Sequence, residues 1–388
     1  MTVRPVTANS AGELHALVHE AARQRVAIVD YGTAHRGVGY APPAERIELT
    51  QHGSVLEHYV RDFTVRVAAG ATLGEVQEVL AGKKQFLPLE APGKMSIGEC
   101  LMHNVYGPLR TGYGALRDQV LGLNYVDGLG RDIHVGGRTV KNVAGYDVAR
   151  FMVGSLGELG LVYEVTLRTF ALPEQVMQAR IRLDDPRVLG PRLNGLLLTV
   201  AAPAGLSLYG DAEGWVLEAR YLGASTRAWP AQLKGLEEWC RQTPQAEMMS
   251  TNAEGVPQVT RSWCANSAWR DEKALVVKVV VPPARTGEVC TELKSESGVA
   301  IAALPAQGCI WVGSGADDAV ALDRAVANAA GQPHLRQWHR RPSQDNDKVA
   351  PLTPQPSDLP LLRRLKSVMD PHGLFNPGRF LPAEGAMA

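Results

Sequence analysis

The stretch that decides the fold, Val135 to Phe170, reads VGGRTVKNVAGYDVARFMVGSLGELGLVYEVTLRTF. Its central glycines lie at positions 145, 154, 157 and 160, directly before an alternating segment, 161–170, that predicts a strand. Glycine adopts positive φ and lets a backbone approach a ligand closely. Two explanations follow from the spacing: the glycines only make tight turns, or the turn receives a flat or phosphorylated cofactor.

Composition indicates a globular protein with one large or two to three ordinary domains. The chain has 388 residues, 45% of them hydrophobic and 21% charged, and its 40 basic residues balance its 40 acidic ones. Because there is no basic stripe or polybasic segment, we expect neither nucleic acid nor anionic lipid as a partner. No apolar run reaches the roughly 20 residues of a membrane span, and no signal-peptide core is evident. We therefore expect a cytoplasmic location.

The five cysteines, at positions 100, 240, 264, 290 and 309, are scattered along the chain. Iron–sulfur ligation needs clustered thiolates, so we expect no cluster in this chain. An odd, widely spaced set also argues against a disulfide framework and for a reducing compartment. We expect most cysteines to be small core residues, and we expect no metal site.

Residues 1–172 predict two α/β halves, about 1–85 and 86–172. Leucine and valine at helical spacing predict a helix over Ala11 to Arg25. Two capping-box patterns, Thr72 with Glu75 and Ser96 with Glu99, each predict a helix start. A helix N-terminus presents backbone N–H groups and a positive dipole end, so the second start suits a diphosphate.

Residues 173–340 predict an internal duplication. Each half reads strand–helix–strand–strand–helix, the ferredoxin-like order, so two units side by side would form one antiparallel sheet with helices on one face. Residues 243–269 lie between them as a long connector, and connectors of that length are often lids or contact surfaces. Residues 341–388 predict a proline-rich, extended tail with one final helix.

Three motifs carry a family resemblance: KNVAGYD at 141–147, GSLGELG at 154–160 and DPHGLFNPGR at 370–379. They resemble the flavin-binding, PCMH-type domain of the vanillyl-alcohol-oxidase family, and within it the E subunits of bacterial glycolate oxidases. The resemblance implies an α+β fold: a two-part FAD-binding domain (1–172), a cap or substrate domain of two ferredoxin-like units (173–340), and a C-terminal tail (341–388) that returns to the flavin domain.

The resemblance also implies where FAD is held. Two loops would hold the diphosphate, a third stretch would lie at the adenine and ribose, and the tail would close over the flavin ring. The implied diphosphate residues are Tyr31, Gly32, Thr33, Ala34 and His35 in the first loop and Pro92, Ser96, Ile97 and Gly98 in the second. Gly157, Gly160 and Val162 would lie at the adenine and ribose, and Asn376 and Arg379 would close the site. Asn142 and Gly145 are also implied as FAD-binding residues. Covalent attachment at His35 is an alternative to its being an ordinary loop histidine.

The sequence departs from the family in both loops. The family usually begins the first loop with a run of glycines, where this chain has Asp30, Tyr31 and Gly32. The family usually has glycines where this chain has Lys94, Glu99 and Asn104. A carboxylate one helical turn from a diphosphate repels it, by about 1–2 kcal/mol if it is desolvated and unpaired. Glu99 escapes this conflict if it turns back onto the backbone N–H of Ser96, and Lys94 would offset its charge.

Catalytic residues are poorly marked. Oxidation of a 2-hydroxy acid needs a base for the hydroxyl proton, cations for the carboxylate and the flavin for the hydride. In the glycolate oxidases that the sequence resembles, a second flavoprotein, the D subunit, carries a histidine-rich metal motif. That motif is absent from this sequence. His339 and Arg340 are the candidate cations, with a solvated strand end as the equally weighted alternative.

The resemblance leaves three functions open. The first is the FAD-binding subunit of a glycolate-oxidase-type complex, exchanging electrons with a D-type flavoprotein and an F-type iron–sulfur subunit, and meeting the membrane only through them. The second is a non-catalytic scaffold subunit with a degenerate flavin cleft. The third is a stand-alone FAD oxidase of a small hydroxy acid.

Overall fold

The computed structural model describes residues 2–30, 45–137, 148–199, 202–211, 214–223, 226–254, 275–295, 299–315, 318–331, 335–340, 352–353 and 359–379. The chain divides into two compact units. The first contains residues 1–106, 115–172 and 354–388, and the second contains residues 107–114 and 173–353. Residues 107–114 therefore depart from the predicted boundaries, because they pack with the second unit rather than the first.

The first unit begins with a parallel sheet of β1 (Thr2–Thr7), β2 (Ala27–Asp30) and β3 (Glu45–Thr50), with β3 in the centre. Helix α1 (Ala11–Gln24) connects β1 to β2 and begins at a capping box formed by Ser10 and Glu13. The predicted helix is confirmed, and its apolar stripe is buried: Leu14, Leu17, Val18 and Ala21.

A second, antiparallel sheet has the strand order β4-β5-β9-β7-β8. Its strands are β4 (Val55–Tyr59), β5 (Thr64–Ala68), β7 (Val120–Val126), β8 (Asp132–Gly136) and β9 (Leu161–Arg168), while β6 (Gln85–Phe86) pairs separately with β10 (Phe170–Ala171). The remaining helices of this part of the chain are α2 (Leu73–Ala81), α3 (Ile97–Met102), α4 (Arg110–Tyr113), α5 (Leu116–Gln119) and α6 (Val148–Met152). Helices α2, α3 and α6 bury their apolar side chains against one face of the five-stranded sheet.

The second unit is one sheet of nine strands in the order β14-β11-β13-β12-β16-β17-β15-β18-β19. These strands are β11 (Gln175–Leu183), β12 (Gly205–Asp211), β13 (Gly214–Gly223), β14 (Ala246–Glu254), β15 (Leu275–Val280), β16 (Val299–Leu304), β17 (Cys309–Ser314), β18 (Leu335–Arg340) and β19 (Leu352–Thr353). Its helices are α7 (Leu189–Leu197), α8 (Trp229–Gln242), α9 (Thr286–Lys294) and α10 (Ala319–Ala330). All described neighbours in the sheet are antiparallel, and the duplication is confirmed.

The structure corrects two boundaries of this unit. Strand β14 lies inside the predicted connector 243–269 and pairs with β11, so each half is strand–helix–strand–strand–helix–strand. Trp263 and Trp269, also in that connector, lie outside the described residues. The predicted tail begins too early, because the backbone of β19 pairs with that of β18 and belongs to the sheet.

The two faces of the nine-stranded sheet differ in chemistry. Side chains of α7, α8, α9 and α10 form one apolar core with alternate strand residues, such as Val277 and Val279 on β15. The opposite face contains buried charged residues, namely Glu218, Arg220 and Lys278. We call this second surface the polar face.

The end of the chain packs into the first unit through helix α11 (Leu359–Met369) and the residues after it. Phe375 forms a parallel bridge with Ile28 of β2, whose N–H donates to Leu374 O at 2.7 Å. Four cysteines, Cys100, Cys240, Cys290 and Cys309, are buried as expected. No helix in the described ranges has the length and apolar character needed to cross a membrane.

Candidate functional site

The loop before α3 shows whether the Glu99 carboxylate faces a diphosphate site or caps its own helix. The Glu99 side chain is buried and turns back on its own helix, where Oε2 accepts the backbone N–H of Ser96 at 2.6 Å. The Glu99 N–H in turn donates to Ser96 Oγ at 3.1 Å, which completes the capping box. Lys94 is exposed. The carboxylate therefore serves as a cap for α3.

The same contacts correct the expectation that α3 offers open donors to a diphosphate. The N–H of Ile97 donates to Ala71 O at 2.9 Å, and that of Gly98 donates to Ala69 O at 2.8 Å. With the N–H groups of Ser96 and Glu99 used in the capping box, the start of α3 is engaged within the chain. These donors stabilise the packing of α3 on the segment after β5.

This arrangement predicts the effect of removing the cap. Ser96→Ala is expected to lower the free energy of unfolding by about 1 kcal/mol, because the Glu99 N–H loses its side-chain acceptor. Retention of FAD after desalting is expected to match the wild-type protein. Loss of FAD at an unchanged melting temperature would instead show that this helix start contacts the cofactor.

The glycine-rich motif at 154–160 packs on the other end of α3. The N–H groups of Gly154 and Leu156 donate to Leu101 O and Met102 O, both at 3.0 Å. Gly154, Leu156 and Gly157 all have positive φ, at 85°, 52° and 72°. The motif thus provides donors for carbonyl groups that the helix leaves open at its C-terminus.

The predicted adenine-side positions are filled by protein atoms. A Cβ at Gly157 would overlap Asn376 Nδ2 and lie 2.9 Å from Met102 Sδ, and one at Gly160 would lie 2.7 Å from a ring carbon of Tyr125. Val162 is buried, and its carbonyl accepts from the side-chain amide of Gln51 at 3.0 Å. The need for glycine at 157 and 160 is therefore explained by close packing inside the first unit.

The C-terminal tail meets this motif through Lys366. Its ammonium donates to Glu158 O at 2.6 Å, to Phe375 O at 2.8 Å and to Asp370 Oδ2 at 2.7 Å. Asp370 is buried and also accepts the N–H groups of Leu374 and Phe375, at 2.9 and 2.8 Å. Both predicted tail residues, Asn376 and Arg379, are buried beside this network.

Asn104, at the end of α3, has a buried acceptor atom that suits a hydrogen-bond donor of FAD. It has φ 48°, a conformation that favours glycine and that asparagine tolerates. Its Oδ1 is buried and has no hydrogen-bond partner in the part of the chain that the structure describes. An unsatisfied buried acceptor is costly, so this position suits an N–H or O–H donor of a bound group. FAD offers both kinds of donor.

The remaining predicted residues lie outside the described ranges or make ordinary backbone contacts. The first loop, Tyr31 to His35, and the motif residues Asn142 and Gly145 lie outside the described residues. Pro92 is exposed and its carbonyl accepts the N–H of Met95 at 2.9 Å. The backbone of Arg340 pairs with Val276 in the sheet, but the side chains of His339 and Arg340 lie outside the description.

The polar face contains functional candidates that the sequence analysis missed. Glu218 and Arg220 on β13 are buried and lie 3.7 Å apart, and Ser207 is the cross-strand neighbour of Glu218. Lys278 is 6% exposed in the middle of β15. The sequence did contain a signal for these residues, since charged residues interrupt otherwise apolar strands. Charge in an apolar strand indicates a polar environment but does not tell which residues share it.

Comparison with known proteins finds a family match in the first part of the chain. Residues 4–148 match the model of a family described as FAD binding domain. "Glycolate oxidase subunit GlcE" of Escherichia coli K12 is 28% identical over 167 residues, which are 42% of this chain and 48% of that protein. A mitochondrial "D-lactate dehydrogenase [cytochrome]" of Arabidopsis thaliana is 34% identical over 158 residues, 40% of this chain and 28% of that one.

The fold extends over almost the whole chain. A solved xylooligosaccharide oxidase from Myceliophthora thermophila superposes with a TM-score of 0.71 at 18% identity, covering 98% of this chain and 92% of that one. The sequence matches, by contrast, span less than half the length of these two curated relatives. The resemblance stated from the motifs is confirmed: residues 4–148 match the FAD-binding domain family, and FAD is the cofactor that the chain binds.

Proposed function

We propose that the chain is an FAD-dependent oxidoreductase that acts on small 2-hydroxy acids. The observation that carries this proposal is the match of residues 4–148 to the FAD-binding family, joined with relatives named for glycolate and D-lactate oxidation. Bound FAD supplies a hydride acceptor. The chain must then bind the carboxylate, remove the hydroxyl proton and exclude water.

Within the described residues, Asn104 is the group that we assign to FAD, through its buried Oδ1. The diphosphate is assigned to the first loop, residues 31–35, since the described donors at the start of α3 are engaged elsewhere. Asn142 and Gly145 remain assigned to FAD binding, as the resemblance implies. Asn376 and Arg379 are assigned to closing the site, supported by their burial in the first unit.

We further propose that the chain works as a subunit, exchanging electrons with a D-type flavoprotein and an F-type iron–sulfur subunit. Support comes from the relative named as a glycolate oxidase subunit. The engaged donors at α3 are the observation that favours the alternative, a scaffold subunit without redox turnover. A stand-alone oxidase would need no partner for turnover.

The flavin itself tests these proposals. Purified chain is expected to retain absorbance near about 450 nm after desalting, and anaerobic glycolate or D-lactate is expected to bleach it. Asn104→Ala is expected to weaken FAD retention, since an acceptor for the cofactor is lost, while Asn9→Ala serves as an exposed asparagine control. Flavin that is bound but not bleached by any 2-hydroxy acid, with or without partner subunits, would contradict the proposed oxidation. Colourless protein that also takes up no added FAD would support the scaffold alternative.

A further inference from the structure

The second unit contains a cavity of about 450 Å³ that the functions considered above do not use. All residues that line it belong to that unit. They come from α4, the end of α7, the segment before β12, the end of β13, helix α8 and the 3₁₀ turn Pro305–Gln307. Small-molecule sites in proteins occupy roughly 300–1,000 Å³, so this cavity has the size of a ligand site.

Contacts between distant segments hold the walls of the cavity in place. The N–H of Gly112 on α4 donates to Ala204 O at 2.9 Å, and the N–H of Ala204 donates to the carbonyl oxygen of Arg220 on β13 at 2.8 Å. A Cβ at Gly112 would lie 2.8 Å from Ala204 Cα, so these two backbones are in close contact. The walls are therefore fixed by backbone packing as well as by side chains.

The lining of the cavity is polar but uncharged. None of the described residues that line it is charged, and the polar side chains are those of Thr111, Tyr221, Gln232 and Gln307. Burial raises the pKa of Tyr221, so its hydroxyl keeps its proton at neutral pH. An ion placed among uncharged groups loses hydration without gaining a counter-charge. The cavity consequently favours an uncharged ligand.

Gln307 has an acceptor that the described part of the chain leaves unsatisfied. Its Oε1 is buried without a hydrogen-bond partner there, while its Nε2 donates to Thr111 Oγ1 at 3.3 Å. That hydrogen bond is long, and the last torsion angle of glutamine has a broad energy minimum, so the amide turns toward the cavity at small cost. Since the amide nitrogen has two hydrogens, the group then presents a donor and an acceptor side by side.

We propose that this cavity binds a small uncharged ligand through a planar amide or lactam edge, which pairs with the carboxamide of Gln307. A carboxamide recognises such an edge through two hydrogen bonds, one in each direction. Leu197, Leu222 and Pro203 supply apolar contacts for the rest of the ligand. None of the residues assigned to FAD is among those that line the cavity, so this site is additional to the proposed redox function.

The direct test compares benzamide with benzoate, two molecules of similar shape of which only the first has an amide edge. Binding to the FAD-loaded full chain is measured by saturation-transfer NMR titration. Benzamide is expected to bind with a dissociation constant on the order of 1 mM, as suits a ligand of its size. Benzoate is expected not to displace it, because a carboxylate lacks the donor that Oε1 needs and brings an unpaired charge. Benzoate bound elsewhere on the chain does not affect this competition.

Two substitutions of Gln307 test the role of its carboxamide. Gln307→Met removes both hydrogen-bonding groups and is expected to weaken benzamide binding roughly ten-fold or more. Gln307→Glu supplies a carboxylate, which pairs with an amidinium through two charged hydrogen bonds. This variant is expected to reverse the preference, so that at about pH 8, where the carboxylate is ionised, benzamidine binds roughly ten-fold more tightly than benzamide.

Gln175→Glu, at an exposed glutamine of β11, is the matched control. It adds the same charge to the same unit away from the cavity, and its affinities for benzamide and benzamidine are expected to equal those of the wild type. Far-UV circular dichroism and retained flavin absorbance verify that each variant is folded.

The outcomes decide this inference separately from the proposed function. A wild-type chain that binds no benzamide would overturn the site, and so would equal benzamide affinity in the wild type and Gln307→Met. Displacement of benzamide by benzoate would show that the ligand occupies an acid-binding site instead. A reversed preference in Gln307→Glu, but not in Gln175→Glu, would support the site. Bleaching of the flavin by glycolate is a separate measurement, so either proposal can fail while the other stands.

Discussion

Gly157→Ala is expected to lower the free energy of unfolding of the first unit by about 2–6 kcal/mol. Backbone strain at φ 72° contributes about 1–3 kcal/mol, and forcing a methyl group into a filled space adds about 1–3 kcal/mol. The displaced atoms are Asn376 Nδ2 and Met102 Sδ. We therefore expect the substitution to loosen the C-terminal tail and to release FAD as a consequence of unfolding.

The measurement is urea unfolding followed by two probes. All 7 tryptophans lie between positions 215 and 338, so tryptophan fluorescence follows the second unit and circular dichroism follows both. Gly154→Ala is the matched control, since Gly154 also has positive φ, at 85°, but a Cβ there would meet only Asn104 Cβ, at 3.5 Å. Equal losses in the two variants would show that the contact with Asn376 and Met102 adds nothing.

Lys366→Met is expected to destabilise the first unit by about 3–5 kcal/mol. Lys366 is 15% exposed and Asp370 is fully buried, so removing the ammonium leaves a buried carboxylate without its cation. The carbonyl groups of Glu158 and Phe375 lose a donor at the same time. We expect faster proteolytic cleavage after residue 354, because the tail is held by this side chain.

Lys83→Met, at an exposed lysine of the same unit, is the control and is expected to change stability by less than about 0.5 kcal/mol. A double-mutant cycle with Asp370→Asn measures the coupling between the two charges. A coupling energy near zero would mean that the ion pair does not hold the tail, and the expectation of faster proteolysis would fail with it.

The two capping boxes and α1 are the parts of the fold that local sequence specifies most directly. A capping box joins residues three positions apart, and the buried stripe of α1 repeats every three or four residues. The duplication of the second unit is also readable, since two alternating strand and helix patterns recur in the same order. These features depend on neighbours in the chain, so periodicity and spacing reveal them.

Strand β14 shows why other elements escape such reasoning. Its sequence, AEMMSTNAE, lacks a clear apolar alternation, and it is a strand because β11 presents a free edge to it. Likewise, the N–H groups of Ile97 and Gly98 are engaged by carbonyl groups of Ala71 and Ala69, distant in sequence. Only the folded chain decides whether a donor at a helix start is open or already used.

The amino-acid sequence by itself predicted FAD as the cofactor and most of the order of helices and strands in both units, because motifs, caps and periodicity are local. Tertiary structure alone decided that Gly157 makes room for Asn376, and that carbonyl groups of Ala71 and Ala69 engage the N–H groups of Ile97 and Gly98. The physical reason is that a contact between distant segments depends on strand order and register, and side-chain burial follows only once those are fixed.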